Sequence, residues 1–137
     1  MAIYNFEIIG EPVAWQRVKV NRAGFSYVPK KTREAKKEMA RQIMAQLKQP
    51  PNLATLIKGP VSLTAQIRRS RPKSARTRKY PHVCPDLDNF IKGIMDCMNN
   101  VVWVDDAQVV RLFAGKEYAT EKHPPGITIM IQELERD

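Results

Sequence analysis

The stretch from Asp86 to Tyr118, DLDNFIKGIMDCMNNVVWVDDAQVVRLFAGKEY, decides the fold. Its first part repeats apolar side chains at a helical period, which predicts an amphipathic helix from about Asp88 to Asn99. The predicted buried stripe of this helix consists of Ile91, Ile94, Met95 and Met98. Asn99 and Asn100 end the helix, and a strand is predicted next, from about Gln108 to Tyr118. Only a short return therefore separates the helix from the strand.

The chain outside this stretch supplies further strands and one more helix. Alternating apolar side chains predict strands at residues 2–9, 61–69 and 127–132, and a turn at residues 21–24 is predicted to join two short strands. A helical period predicts a helix from Thr32 to Lys48, with Thr32 as a candidate cap for its first turn. This order of elements predicts one α+β domain over residues 1–137, with a mixed or antiparallel sheet packed against two main helices.

Length and composition restrict the class of protein. The 137 residues fit one domain, and 43% hydrophobic residues are enough to form a core. No apolar run approaches the ~20 residues that cross a bilayer, and the N-terminus lacks the pattern of a signal peptide. We therefore expect a cytoplasmic protein that does not enter a membrane. In that reducing compartment Cys84 and Cys97 are expected to be free thiols, and their spacing does not suit structural zinc.

The net charge of +9 is divided unevenly along the chain. Residues 1–84 carry 18 Lys and Arg against four acids, a net +14, whereas residues 85–137 carry five against ten, a net −5. A strongly basic half attracts a polyanion such as nucleic acid, because its cations release the counterions condensed on phosphates. Carboxylates beside such a surface repel nucleic acid unless a metal ion lies between them and the phosphate. The charge pattern therefore indicates a nucleic-acid-binding protein with a local acidic site.

Two acidic pairs flank the predicted second helix. Asp86 and Asp88 lie at its start, and Asp105 and Asp106 follow it after the short return, which we expect to bring an acid of the second pair near the first. Three carboxylates without Cys or His form a hard-oxygen site suited to Mg²⁺. Lys92, one helical turn after Asp88, is placed to hold a scissile phosphate or to stabilise charge on it. The pattern predicts metal-assisted phosphodiester hydrolysis.

Each of these residues also has an ordinary structural interpretation. Asp88 can be only the N-cap of a helix, and Asp105 with Asp106 can be only a turn before a strand. A lysine on a helix, such as Lys92, is usually a solvated charge. The combination of all of them beside a basic segment is what favours a catalytic site.

The segment from Ser70 to Pro85 has no apolar period and predicts a basic loop that is flexible until DNA binds. Together with the end of the preceding strand it supplies seven candidate phosphate contacts and no acid within twelve positions: Arg68, Arg69, Arg71, Lys73, Arg76, Arg78 and Lys79. Arg17 and Lys19 are expected to add contacts to DNA. The alternative is a solvated, charged loop. Trp15 is expected to lie in the core, with a base-stacking platform as the alternative, and Trp103 is expected to pack against the second helix.

The motif D-L-D-N-x-x-K at residues 86–92, a helix, and W-x-D-D-A-Q-V-V at residues 103–110 together resemble the signature of the RusA family of Holliday junction resolvases. This resemblance implies a small homodimeric nuclease, often encoded in prophages, that uses Mg²⁺ (with Mn²⁺ as a possible substitute) and no small-molecule cofactor. It also implies that the acidic triad of the family falls on Asp86, Asp88 and Asp106. The essential lysine falls on Lys92, and the supporting residues are Asp105 and Asn89.

We therefore predict a homodimeric endonuclease that resolves four-way DNA junctions by paired phosphodiester hydrolysis, in DNA recombination and repair. A two-fold dimer suits this task, because a junction presents two symmetry-related strands and each protomer can cut one. Two alternatives remain open. The first is a basic nucleic-acid-binding protein without catalysis, whose acids serve as caps and turns. The second is a metal-dependent nuclease that acts on flaps or RNA.

Overall fold

A mixed sheet of four strands forms the centre of the computed structural model, which describes residues 2–16, 18–48 and 55–136. In chain order the elements are β1 (Ile3–Ile9), β2 (Lys19–Val20), β3 (Ser26–Tyr27), α1 (Lys30–Leu47), β4 (Val61–Arg69), α2 (Leu87–Met98), β5 (Val109–Tyr118) and β6 (Gly126–Glu133). The strand order of the sheet is β1-β6-β4-β5, and β2 pairs with β3 in a separate hairpin. β4 and β5 are parallel and are connected through α2, whereas β6 is antiparallel to both of its neighbours.

The predicted elements agree closely with the structure. An α+β fold with two main helices and a mixed sheet is confirmed. The strand predicted at residues 61–69 has the observed bounds, and the helix predicted from Asp88 to Asn99 runs one residue earlier at each end. The agreement is closest where the apolar period is clear, as in β1 and α2.

One hydrophobic core joins the two helices to the sheet. In β4 the side chains of Val61, Leu63, Ala65 and Ile67 are completely buried, and in β1 alternate side chains point inward. The buried face of α1 contains Met39 and Ile43. That of α2 contains three residues of the predicted stripe together with Phe90 and Cys97, whereas Met95 is only partly buried. Trp103, which follows α2, is fully buried and donates from Nε1 to Asn99 Oδ1 at 2.7 Å, so its predicted packing against α2 is confirmed.

The two outer edges of the sheet differ. The edge of β1 is covered by α1, because the amide side chains of Gln42 and Gln46 each donate to and accept from the backbone of Ile9 and Glu7. Within the described part of the chain, nothing pairs with β5 on the side away from β4. An uncovered strand edge offers backbone groups to another chain. The sheet therefore has one protected edge and one open edge.

The cysteines are free thiols, as predicted: Cys84 is exposed and Cys97 is buried. Burial raises the pKa of the Cys97 thiol to about 11, so this group stays neutral in the core. The helices that the structure describes are all too short or too polar to cross a membrane.

Candidate active site

The loop before α2 is fixed by cations at the carboxyl ends of β4 and β5. Lys116 Nζ donates to the carbonyls of Val83 and Pro85 at 3.0 and 2.9 Å, and Arg69 Nη1 donates to the carbonyl of Cys84 at 3.1 Å. Three consecutive carbonyl groups are thus held by two side chains of the parallel strand pair. This arrangement places Asp86, the next residue, at the carboxyl ends of β4 and β5.

Asp86 and Asp88 lie together at the amino end of α2. Asp86 occupies the N-cap position but makes no capping hydrogen bond, and Asp88 lies in the first turn. Both residues are exposed, and neither takes part in the three ion pairs found among the described residues. The side chains of the two acids therefore make no hydrogen bond or ion pair in the described chain.

Asp105 and Asp106 have different local roles. Asp105 accepts a hydrogen bond from Ala107 N at 3.0 Å and forms a capping box with Gln108 around a 3₁₀ turn that leads into β5. Gln108 Nε2 in turn donates to the carbonyls of Ile57 and Gly59, both at 2.8 Å. Asp105 thus caps the turn, which agrees with the alternative interpretation of this acid as part of a turn before a strand. Asp106, the first residue of the turn, is partly exposed and makes no ion pair in the described part of the chain.

A single chain does not bring the two acidic pairs together. The return from α2 is made at its carboxyl end, where Trp103 forms bridges with Asn99 and Ile57, so Asp106 lies by the amino end of β5. Asp86 lies at the other end of the strand pair. α2 has 12 residues, which corresponds to about 18 Å. Among the described residues no three His, Cys, Asp or Glu side chains are grouped closely enough to hold a metal ion.

The expected convergence within one chain is therefore not observed. The short return was expected to lead back to the start of α2, whereas β5 begins beside the end of α2. The metal-binding and catalytic roles of Asp86, Asp88 and Asp106 stay predictions.

Lys92 lies on the exposed face of α2, one turn after Asp88, and both side chains line the same pocket. The opposite wall of this pocket belongs to Trp15 and to α1. The backbone of Asn89 holds Trp15 in place, because Trp15 N donates to Asn89 O at 3.2 Å. This contact uses only the backbone of Asn89, so the supporting role of its side chain stays a prediction.

The model of the family described as "Endodeoxyribonuclease RusA" matches residues 10–132. This chain belongs to the RusA family. It is also similar to a Bacillus subtilis (strain 168) protein described as "Uncharacterized protein YqaN". The two are 32% identical over an alignment 146 residues long, gaps included, which covers 98% of this chain and 99% of the relative. The resemblance seen in the sequence motif is thereby confirmed. The matched range includes Lys92 and both acidic pairs, Asp86 with Asp88 and Asp105 with Asp106.

In this RusA-family chain Trp15 is partly buried against the core, as expected. Its indole ring covers Gly93 of α2 so closely that a Cβ atom there would lie 2.5 Å from Trp15 Cε3. The prediction that Thr32 caps α1 is wrong, because its hydroxyl accepts a hydrogen bond from Gln16 N at 3.2 Å. α1 begins instead at Lys30 after Pro29, and Thr32 connects α1 to the segment that carries Trp15.

The contact between Trp15 and Gly93 gives a stability prediction. A Gly→Ala substitution inside a helix ordinarily raises the free energy of unfolding by roughly 1 kcal/mol. Gly93→Ala should instead lower it by about 1–3 kcal/mol, because the Trp15 ring must move away from the new methyl group. Thermal unfolding should show Tm lowered by several degrees. Gly59→Ala is the control, since its nearest neighbours are atoms of the flexible Arg136 side chain. An unchanged or raised Tm for Gly93→Ala would mean that Trp15 does not pack as described.

The basic loop of the RusA-family chain is more structured than predicted. It contains a short 3₁₀ turn, Lys73–Ala75, and the side chain of Ala75 is buried. Arg71 Nη1 donates to the carbonyls of Ala75 and Arg78, and its guanidinium lies 4.2 Å from the centre of the Tyr118 ring. Arg78 donates to the hydroxyl of Tyr118 at 3.1 Å. Arg71 and Arg78 therefore fold the loop onto the end of β5.

Arg68 has a structural role in place of the predicted DNA contact. It is only 6% exposed, and it donates from Nε to Pro124 O at 2.8 Å, from Nη1 to Thr128 Oγ1 at 2.6 Å, and from Nη2 to Glu7. A buried arginine with these partners cannot reach a phosphate. Arg69 is half-buried and holds Cys84 O, as described above. Arg17, the other predicted contact beside Lys19, lies outside the described residues.

Three exposed cations of the loop, Lys73, Arg76 and Lys79, make no side-chain hydrogen bond in the described chain, unlike Arg71. Replacing all three with glutamine should lower the slope of log K for DNA binding against log salt by about 2 to 3, because each phosphate contact contributes ~0.9. Junction binding measured between low and physiological salt tests this. Three exposed lysines, two on α1 and one at its C-cap, give a control variant of equal charge: Lys30, Lys37 and Lys48. If the loop variant kept the original slope, the loop would not contact phosphates.

Proposed function

We propose that this protein is an Mg²⁺-dependent endonuclease that cuts four-way DNA junctions in recombination and repair. The observation that supports it most is the pair Asp86 and Asp88, held at the end of the strand pair with side chains that make no hydrogen bond or ion pair in the described chain. Exposed carboxylates on a basic, DNA-binding protein weaken binding unless a cation neutralises them. Membership of the RusA family supports the same reaction and the same substrate class.

The open edge of the sheet supports a homodimer. Residues 110–114 of β5 are all exposed, on both faces of the strand, and three of them are large and apolar: Val110 is 60%, Leu112 47% and Phe113 62% exposed. An edge strand that exposes apolar side chains next to unpaired backbone is a site for pairing with another chain. We infer that β5 pairs antiparallel with β5 of a second copy, about a two-fold axis near Leu112.

This pairing brings the two acidic groups together. In an antiparallel pair the amino end of one strand lies beside the carboxyl end of the other. Asp106 precedes the amino end of β5, and Asp86 and Asp88 are fastened to its carboxyl end through Lys116. Asp106 of one copy would therefore approach Asp86 and Asp88 of the second copy. Such a dimer has two equivalent sites, one for each strand of a junction that is cut.

The donor set fits Mg²⁺ in kind, since it consists of carboxylate oxygens only. A bound Mg²⁺ would supply an activated water and neutralise charge on the phosphate. The chain itself provides Asp86, Asp88 and Asp106 to hold the ion, and Mn²⁺ prefers the same ligands. Lys92, on the face that carries Asp88, would hold the scissile phosphate as a point cation. The amino end of α2 adds partial positive charge at the same place.

The test compares labelled four-way junction, linear duplex, flap and RNA substrates, each in Mg²⁺ and in EDTA. We expect paired cuts in the junction with Mg²⁺, much slower cutting of the other substrates, and no cutting in EDTA. Binding of all substrates without any cleavage would make the protein a basic nucleic-acid-binding module. Preferred cutting of flaps or RNA would support the other alternative, and cutting that resists EDTA would rule out the metal.

A further inference from the structure

A pocket of about 550 Å³ lies between α1, α2 and the segment that carries Trp15. Apolar side chains form one part of its lining, namely Trp15, Val18 and Val28. Cations from both helices form another part, namely Arg33, Lys36 and Lys92. Two acids, Asp88 and Asp96, also line the pocket, so whatever occupies it lies directly beside Asp88 of the proposed catalytic group.

We propose that this pocket receives one unstacked base of the DNA strand that is cut. The proposal rests on the proposed function, since it takes DNA as the substrate. A pocket of this size, with one aromatic and aliphatic wall beside polar and charged groups, has room for a small planar group that carries polar edges. Aromatic and aliphatic walls bind a base through its face without reading its sequence. Nucleic-acid enzymes that extrude a base bind it between such side chains.

The charges around the pocket favour a nucleotide over an uncharged ligand. Arg33, Lys36 and Lys92 take part in none of the three ion pairs among the described residues. Their charges are therefore available to the phosphates on either side of an inserted base. Arg33 and Lys36 project from the amino-terminal half of α1, where positive charge opposes the helix dipole, so their position is not explained by helix stability.

A second cavity of about 580 Å³ lies on the other side of Trp15 and supports the same path for the strand. Its cations are Lys19, Lys31 and Arg69. Trp15, Gln16 and Asn89 line both cavities and therefore form the ridge between them. A strand that crosses this ridge beside the amino end of α2 would have its backbone in the cationic cavity and one base in the apolar pocket.

A DNA junction is a favourable source of such a base. Bases next to a branch point have lost a stacking neighbour, so turning one of them out of the helix costs less than it does in a continuous duplex. In a linear duplex the same step also disrupts regular pairing and stacking, so it is less favourable. The pocket would therefore contribute to the preference for branched DNA.

The experiment uses four-way junctions that each carry one 2-aminopurine at a branch-point position, with binding measured in EDTA. We expect the full protein to raise the emission of at least one position about twofold or more, because the base leaves the stack. Val28→Trp and Val18→Trp fill the pocket, and neither should disturb folding, since Val28 is 38% and Val18 59% exposed. Both variants should abolish the emission rise while affinity, which depends on phosphate contacts, changes less than about threefold.

Val20→Trp is the matched control, because Val20 lies on the same hairpin, is 66% exposed and lines neither cavity. In Mg²⁺ the two pocket variants should cut at least about tenfold more slowly than Val20→Trp, through loss of positioning. An emission rise that survives both pocket variants, or no rise at any position, would overturn the proposal. Failure of the nuclease function is distinguishable, since then no junction is cut in Mg²⁺ whatever the emission in EDTA shows.

Discussion

Asp88→Asn is expected to cut a four-way junction about 10³-fold more slowly than the original protein, because a bound cation contributes several kcal/mol to the transition state and each ~1.4 kcal/mol is tenfold in rate. The amide keeps the shape of the side chain but is a weaker ligand without charge. Binding of the junction should be unchanged or tighter, since one carboxylate no longer repels phosphate. Single-turnover cleavage in Mg²⁺ and binding in EDTA measure the two effects separately.

Asp96→Asn is the matched control for this substitution. Asp96 lies on α2 two turns after Asp88, lines the same pocket and is outside the proposed metal-binding group. The two variants therefore make the same change of charge on the same helix. Asp96→Asn should keep most of the activity. Equal activity of the two variants would assign Asp88 to the first turn of the helix only, and would remove the main support for a nuclease.

The fold was predictable because its signals are local. The alternation in β1 and β4 and the stripe of α2 each depend only on residues close together in sequence, and they agree with the burial in the structure. The parallel pairing of β4 with β5 was not predicted, because pairing depends on residues far apart in the chain. The same limit explains Thr32, whose hydroxyl is used by Gln16 rather than by the helix that it was predicted to cap.

The candidate site was predictable in its residues but not in its arrangement. Asp86, Asp88 and Lys92 are found at one end of α2, as their spacing indicated. Lys116 was missed, although it fastens the acidic loop to β5, because a lysine on a strand carries no signal of its carbonyl partners. Arg68 was misassigned for a similar reason: its burial depends on Glu7, 61 positions away. Charge in a sequence shows what a segment attracts, but not which side chains remain free to bind.

The separation of the acidic pairs within one chain leads to the prediction with the sharpest contrast. A mixed dimer, in which one copy carries Asp88→Asn and the other carries Asp106→Asn, should regain cleavage activity although each variant alone is inactive. If each site takes Asp88 from one copy and Asp106 from the other, the mixed dimer has one intact site and one with both substitutions. It should then nick one strand of a junction at about half the rate of the original dimer, which has two equivalent sites. Paired cutting of both strands should not return.

The reciprocal dimer makes this test independent of how well each variant folds. One unsubstituted copy is combined with a copy that carries both Asp88→Asn and Asp106→Asn, and each mixed dimer is purified through two different tags. Sites shared between copies predict that this dimer is inactive, because both of its sites are damaged. Sites confined to one chain predict the opposite result in both dimers: about half activity here and none in the first combination. A shared site further requires that Phe113→Lys, which places a charge on the open edge of β5, give an inactive monomer. An active Phe113→Lys monomer would exclude pairing through β5, and with it the proposed approach of Asp106 to Asp86 and Asp88 of the second copy.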